Sequence, residues 1–157
     1  SGLPGGTAQV VGLALTGASF GFLLWNWPPA RIFLGDVGSG SLGLLFVLGG
    51  LLLMREGRSS IVTAFLPLYP LFLDASLTLV RRLRRGERIT EAHRTHLYQR
   101  LANGTWGHAR VSLLYATLAM AALPVAALPA QWRALGVIAY FLGVLGLGWA
   151  LDRRAAA

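Results

Sequence analysis

The stretch SGSLGLLFVLGGLLLM, residues 39–54, contains no charged side chain and is apolar apart from its two serines and its glycines. A helix that is hydrophobic on all sides is buried in a large core or in a membrane. A membrane span needs about 17–25 residues, so this stretch is short unless residues 34–38 extend it. The segment therefore predicts a transmembrane helix with an N-terminal boundary that the pattern alone leaves open.

Four further apolar stretches accompany this one, and the approximate spans are 7–25, 39–54, 60–80, 111–128 and 133–151. The 157-residue chain is 55% hydrophobic and only 13% charged, whereas soluble domains carry about 25% charged residues. We therefore predict an all-α integral membrane protein, with about five transmembrane helices in a single membrane domain over residues 1–157. Pro67 and Pro70 predict a kinked or broken third helix.

Most of the arginines lie in two predicted loops, residues 26–38 and 81–110, and in the C-terminal tail. The positive-inside rule places these segments in the cytoplasm. The formal net charge of +8 is then explained by helix orientation, and we expect membrane lipid rather than nucleic acid as the partner of the basic residues. The chain has no cysteine, which excludes disulfides and thiolate metal sites.

The segment RIFLGDVGSGSLG, residues 31–43, places an acid among glycines and serines between two apolar stretches. Glycines such as Gly35 let the backbone approach a ligand closely, and Ser39 is predicted to cap a helix that begins near Gly40. A helix N-terminus suits a phosphate, and the Asp36 carboxylate beside it suits Mg²⁺, which prefers oxygen ligands. A solvated loop acid is the alternative interpretation of Asp36.

The loop over residues 81–110 is the polar centre of the chain. Its first four arginines, within residues 81–85, are typical of a surface that pairs with anionic lipid headgroups. The following HRTHLYQR, residues 93–100, is better explained by diphosphate binding through charge-assisted hydrogen bonds. Its candidate donors are His93, Arg94, His96 and Arg100. The two histidines share a face if the segment is helical, but a zinc site lacks a third ligand.

Asp74 lies inside the third apolar stretch, where an acid is a functional candidate by default. Proton or ion transport is one interpretation. The other is an ion pair near the cytoplasmic end of the helix, because Arg81 follows about 10 Å further along at 1.5 Å per residue. The sequence leaves both open.

Two segments resemble the signatures of the polyprenyl-phosphate sugar-1-phosphate transferases. WNWPPARIFLGDVGSGSLG, residues 25–43, resembles the family pattern N-x-x-P-A-x-x-F-x-G-D-x-G-S-x-x-L-G. LVRRLRRGERITEAHRTHLYQRL, residues 79–101, resembles the second signature, an Arg-rich cytoplasmic loop followed by a His motif. The resemblance implies transfer of an N-acetylated hexosamine 1-phosphate from a UDP-sugar to undecaprenyl phosphate, with release of UMP, in the bacterial inner membrane.

The resemblance also implies residue roles. Asp36 would bind Mg²⁺, with Mn²⁺ as an alternative, and Asn26 would contact the uridine while Phe33 stacks near the uracil. His96 would engage the diphosphate, which makes Asp36 and His96 the candidate catalytic residues. The other candidate substrate-binding residues are Gly35, Ser39, His93, Arg94 and Arg100.

Two departures from the family pattern are visible. The chain has His-Leu-Tyr-Gln at residues 96–99 where many members have His-x-His-His, a variant that resembles the O-antigen branch. The family's upstream aspartate pair is also missing, and SGLPGG, residues 1–6, resembles the end of its Asn-rich Asp-Gly segment. We therefore expect the C-terminal part of a ten- or eleven-helix transferase, inactive alone unless another chain supplies those acids.

Two other functions compete with the transferase. A transporter or channel subunit would use Asp74 and the broken third helix, and an inactive truncated remnant would bind lipid or a partner through the arginine loop. Glycine-rich and aromatic helix faces also allow a homodimer without requiring one.

Overall fold

The computed structural model describes residues 6–27, 29–88, 95–104 and 106–156, with the side chains of 154–156 excepted. Two predicted site residues, His93 and Arg94, lie outside the described residues. The described chain forms helices and no strand, which confirms the predicted all-α class. The helices are α1 (Thr7–Asn26), α2 (Gly35–Arg55), α3 (Ile61–Phe65), α4 (Tyr69–Arg84), α5 (Leu97–Asn103), α6 (Gly107–Ala126) and α7 (Ala130–Ala156).

Within the described residues, five segments are long and apolar enough to cross a membrane, in agreement with the predicted number. They are Thr7–Asn26, Gly35–Arg55, Ile61–Arg84, Gly107–Ala126 and Ala130–Arg153. Large apolar side chains on these helices, such as Leu13 and Leu24, are two-thirds exposed in the protein alone. Such surfaces are stable only against lipid or other protein, so the chain is a multi-pass membrane protein.

The second span begins earlier than the apolar run that indicates it. α2 starts at Gly35 and extends through Arg55, so residues 35–38 lengthen it to 21 residues. The connection between α1 and α2 is correspondingly shorter than the predicted loop 26–38. Asp36 consequently lies in the first turn of α2 instead of in a loop.

The third span is broken at its prolines, as the sequence predicts. α3 ends at Phe65, a 3₁₀ turn occupies Leu66–Leu68, and α4 begins at Tyr69. Pro67 lies in the turn and Pro70 in the first turn of α4, where the missing N–H of proline costs no helical hydrogen bond.

The chain divides into two compact units, Ser1–Phe65 and Leu66–Ala157. In the first unit, α2 packs against both α1 and α3. Glu56, just after α2, accepts a hydrogen bond from the Ala8 backbone N–H at 3.0 Å, which ties the end of α2 to the start of α1. The Phe46 and Phe65 rings, 6.4 Å apart between centroids, pack α2 against α3.

Two apolar clusters hold the second unit together. The first contains Leu66, Ala122, Tyr140 and Val144, and the Tyr140 hydroxyl donates to the Leu118 carbonyl at 2.9 Å. The second contains Leu97, Leu101, Val111 and Leu151. This second cluster packs the short helix α5 against α6 and α7, and it thereby fixes the position of Leu97–Asn103.

Candidate functional site

Asp36 is exposed in the first turn of α2. Gly35 before it has φ of 65°, a left-handed conformation that glycine adopts without strain. A Cβ on Gly38 would lie 2.7 Å from the Leu34 side chain, so a larger residue there would require Leu34 to move. The left-handed conformation of Gly35 lets the backbone turn tightly into α2, whose first turn carries the exposed Asp36 carboxylate.

Ser39 does not cap the helix, and the prediction that it does is wrong. α2 begins at Gly35, so Ser39 already lies inside the helix, and its hydroxyl donates to the Asp36 carbonyl at 3.1 Å. The N-cap residue is Leu34, which makes no side-chain capping bond. The first-turn N–H groups of α2 therefore have no partner from a capping side chain, which leaves them available to an anion.

Asn26 and Phe33 lie at the two ends of the connection between α1 and α2. The Asn26 side-chain amide donates to the Ile32 carbonyl at 2.8 Å, and the Arg31 N–H donates to the Trp25 carbonyl at 2.9 Å. These bonds brace the connection, a structural role for Asn26 that the sequence did not indicate. Phe33 is 82% exposed, so its ring is accessible for stacking.

His96 is the N-cap residue of α5 and has an extended backbone, with φ of −60° and ψ of 148°. His96 therefore lies just before α5, so it does not itself belong to a helical face. The His96 ring stacks on Tyr98 at 5.6 Å between centroids, and the His96 N–H donates to the Gln99 side chain at 3.4 Å. The side chain is 26% exposed, which keeps part of the imidazole accessible.

Asp74 is buried beside His96. Its partners fit neither the predicted ion transport nor the predicted ion pair with Arg81. One carboxylate oxygen accepts from the Leu97 N–H at 2.7 Å and from the Thr78 hydroxyl at 3.3 Å. The other accepts from the Tyr98 N–H at 3.1 Å and from the Tyr115 hydroxyl at 3.0 Å. Both oxygens are thus occupied by protein donors, which gives an ion pathway no support.

Arg81, the expected partner of Asp74, pairs instead with Asp152 near the end of α7. One Asp152 oxygen lies 3.0 Å from Arg81 Nη1 and 2.5 Å from Arg100 Nη1. The acid therefore links three helices, α4, α5 and α7, and holds two guanidinium groups at one carboxylate oxygen. A carboxylate that accepts from two arginines in this way reduces the repulsion between their charges.

These arginines line an open cavity of about 320 Å³ in the second unit. Its lining residues are Thr78, Arg81, Arg82, Arg85, Glu87, Thr95, Arg100 and Asp152. Arg82 is buried, contrary to the lipid-facing surface expected for residues 81–85, and its Nε donates to Glu87 at 3.1 Å. Four arginines against two acids make the cavity basic, as anion binding requires.

Replacing Asp152 with asparagine is expected to lower the free energy of unfolding by about 1–2 kcal/mol, because two partly buried guanidinium groups lose their shared acceptor charge. Thermal unfolding of the purified protein in detergent measures the effect. The control is R58Q, since Arg58 is half exposed and lies 3.7 Å from Glu56. Equal unfolding temperatures for D152N and the wild type would show that Asp152 does not hold these helices together.

Asp36 presents an exposed carboxylate of the kind that binds a divalent cation. Within the first unit as described, the Asp36 side chain makes no hydrogen bond or ion pair. No group of three or more His, Cys, Asp or Glu side chains occurs among the described residues, so the zinc alternative gains no support there. One carboxylate is compatible with Mg²⁺, which keeps several waters and takes substrate phosphates as ligands.

The sequence around Asp36 matches a known family. The profile of glycosyl transferase family 4 matches residues 4–54, the segment that contains α1, the braced connection and α2. This chain belongs to glycosyl transferase family 4. The resemblance to the polyprenyl-phosphate transferases is confirmed by this match together with relatives that carry such names, whereas the O-antigen branch stays a prediction.

The alignments of this family 4 chain with its relatives extend beyond the first unit. A probable undecaprenyl-phosphate N-acetylglucosaminyl 1-phosphate transferase of Bacillus subtilis is 31% identical over 120 residues, which cover 71% of this chain and 32% of the relative. A decaprenyl-phosphate N-acetylglucosaminephosphotransferase of Mycobacterium leprae is 30% identical over 118 residues, covering 67% of this chain and 30% of the relative.

A phospho-N-acetylmuramoyl-pentapeptide-transferase of Nocardioides sp. is 49% identical over 60 residues, covering 29% of this chain and 16% of the relative. The chain thus spans about a third or less of the length of the curated relatives it matches. No solved structure matches it.

Proposed function

We propose that this protein transfers an N-acetylhexosamine 1-phosphate from a UDP-sugar to undecaprenyl phosphate and releases UMP, in the synthesis of a cell-envelope polysaccharide such as O-antigen. The observation that carries the proposal is Asp36, exposed on the first turn of α2 within the segment that the family profile matches. The two relatives aligned over most of the chain are named as polyprenyl-phosphate N-acetylglucosamine phosphotransferases, which supports an N-acetylhexosamine as the transferred sugar.

In the proposed reaction, an oxygen of the lipid phosphate attacks the β-phosphorus of the UDP-sugar. The new bond joins the lipid phosphate to the sugar phosphate, and the bond to the α-phosphate breaks, so that UMP leaves with the bonding electrons. Asp36 would hold Mg²⁺ or Mn²⁺, which neutralises charge on the diphosphate when bound. Positioning and electrostatic stabilisation supply most of the rate in such phosphoryl transfers.

The first unit is suited to the nucleotide. Asn26 holds the connection between α1 and α2 in shape through its bond to Ile32, which keeps the exposed Phe33 beside the start of α2. In the proposal the Phe33 ring stacks on the uracil, and the unpaired N–H groups at the start of α2, with Gly35 and Ser39 nearby, receive a phosphate oxygen.

The second unit is suited to the diphosphate. His96 and Arg100 lie at the start and in the middle of α5, and Arg100 lines the basic cavity. In the proposal both donate to phosphate oxygens, and Asp152 keeps the Arg100 guanidinium in place. His93 and Arg94 precede this segment and are proposed to extend the same set of donors.

The arginine distribution supports an active face in the cytoplasm, where UDP-sugars are made available, and a location in the bacterial plasma membrane. A homodimer is compatible with the exposed apolar helices. Neither Asp74 nor the broken third span offers an ion pathway among the described residues, so the transporter alternative has no observation in its favour.

The test is an assay of membranes that contain the complete product of the source gene. Membranes are incubated with undecaprenyl phosphate, Mg²⁺ and a panel of labelled UDP-N-acetylhexosamines, and both lipid-linked sugar and UMP are measured. Equal amounts of the two products, abolished by EDTA and restored by Mg²⁺, are expected for at least one donor. Binding of undecaprenyl phosphate without UMP release from any donor would favour the non-catalytic alternative and contradict the proposal.

A further inference from the structure

The Asp74 carboxylate connects three helices of the second unit through hydrogen bonds. It lies on α4, and it accepts hydrogen bonds from the first two N–H groups of α5 and from Tyr115 on α6. The side chain is only 4% exposed. A buried carboxylate loses its hydration, so it is retained only where hydrogen-bond donors replace the lost water, as four donors do here.

The bonds to Leu97 and Tyr98 make Asp74 the cap of α5. The first N–H groups of a helix have no partner within it, and a negative charge at this end also interacts favourably with the helix dipole. The usual cap is the residue next to the helix, but here the acceptor lies 23 residues earlier in the sequence, on another helix. Asp74 therefore fixes α5 against α4 in addition to satisfying its N-terminus.

His96 is the residue immediately before this cap. Its Nδ1 lies 3.8 Å from the Asp74 carboxylate, and its ring stacks on Tyr98. Tyr98 in turn contacts the Tyr115 ring edge to face at 6.3 Å, and the Tyr115 hydroxyl is bonded to Asp74. The imidazole thus contacts the Asp74 carboxylate at Nδ1 and, through its ring, Tyr98, whose backbone N–H is bonded to Asp74.

We propose that Asp74 is the positioning residue of the His motif, which fixes the start of α5 so that His96 is presented to the diphosphate, with Tyr115 as its supporting partner. The assignment of the diphosphate rests on the proposed function. The anchoring of α5 does not, so the two parts are tested by different measurements.

The first measurement is hydrogen–deuterium exchange of the α5 segment in the detergent-purified protein, compared between the wild type and D74N. Asparagine keeps the size of the side chain but replaces one acceptor oxygen with an NH₂ group that faces N–H and O–H donors. We expect exchange in a peptide covering residues 95–103 to be about tenfold faster. Y115F should give a smaller increase in the same peptide, and T117V, an exposed position on α6, should give none.

The second measurement is the rate of UMP release per folded molecule for D74N, H96A and the double variant, at saturating substrates. A positioning residue acts through its partner, so D74N should slow the wild type about tenfold and should slow H96A no further. If Asp74 contributed only to the structure, D74N would reduce the rate of UMP release by the same factor in the wild type and in H96A.

The outcomes separate the two ideas. Unchanged exchange in both D74N and Y115F would overturn the anchoring of α5 and with it the proposal. If D74N does not fold, faster exchange in Y115F supports the anchoring and unchanged exchange overturns it. If exchange is faster in D74N but H96A is fully active, the anchoring of α5 is supported and His96 has no part in the reaction. That result would overturn Asp74 as a positioning residue and would correct the role of His96 in the proposed function.

Discussion

Replacing Asp36 with asparagine is expected to reduce formation of lipid-linked sugar by about 10³-fold or more, with no loss of folded protein. The carboxylate is the group suited to the divalent ion, and a bound metal contributes several kcal/mol of charge stabilisation in the transition state, at 1.36 kcal/mol for each factor of ten. The measurement is the initial rate of UMP release by the complete gene product, normalised to the amount of folded enzyme.

The fold should be insensitive to this change, since Asp36 is exposed and its side chain makes no hydrogen bond within the first unit as described. The matched control is S41A, an exposed polar position one and a half turns further along the same helix, for which we expect wild-type rates. A D36N enzyme that retains Mg²⁺-dependent UMP release close to the wild-type rate would remove Asp36 from the metal site.

The architecture of this chain could be predicted from its sequence because the deciding signals are local. A continuous apolar run specifies a span wherever it occurs, and Pro67 and Pro70 interrupt a helix through their own geometry. The predicted start of α2, near Gly40, was wrong. Glycine, serine and aspartate are typical of a loop, yet Gly35 turns the chain into a helix that includes Asp36, so the helix begins before the hydrophobic run does.

The partners of the buried polar groups could not be predicted in the same way. Asp74 contacts Leu97 and Tyr115, which are 23 and 41 residues away, and such contacts depend on how three helices pack. The sequence analysis missed Asp152, although one signal was available: the residue follows the last apolar stretch on the same predicted side as the arginine loop, with which it forms an ion pair. Its simultaneous bond to Arg100 required the position of α5.

The contacts of Asp74 and Asp152 lead to the same physical conclusion about the second unit. α5 has only seven residues, and a helix this short is not stable by itself in water. It is held by Asp74 at its first turn, by Asp152 through Arg100 and by the apolar contacts of Leu97 and Leu101. These contacts give the α5 segment a fixed shape, and that shape gives His96 and Arg100 defined positions.

Replacing His96 with alanine is expected to slow UMP release by about 10²-fold at saturating substrates. The imidazole is partly exposed, and the preceding residue, Thr95, lines the basic cavity. A positioned histidine that donates to, or exchanges a proton with, a reacting group typically contributes about 10²–10⁴-fold. The rate is measured per folded molecule in the complete gene product.

The matched control is H108A, because His108 is an exposed histidine in the first turn of α6, and we expect it to keep the wild-type rate. Exchange in α5 should also remain slow in H96A, since the bonds from Leu97 and Tyr98 to Asp74 come from the backbone and do not need the imidazole. A large loss of activity with an intact α5 would then be assigned to the imidazole itself. Equal rates for H96A and the wild type would instead assign the diphosphate contacts to arginine side chains, of which Arg100, fixed by Asp152, is the best positioned.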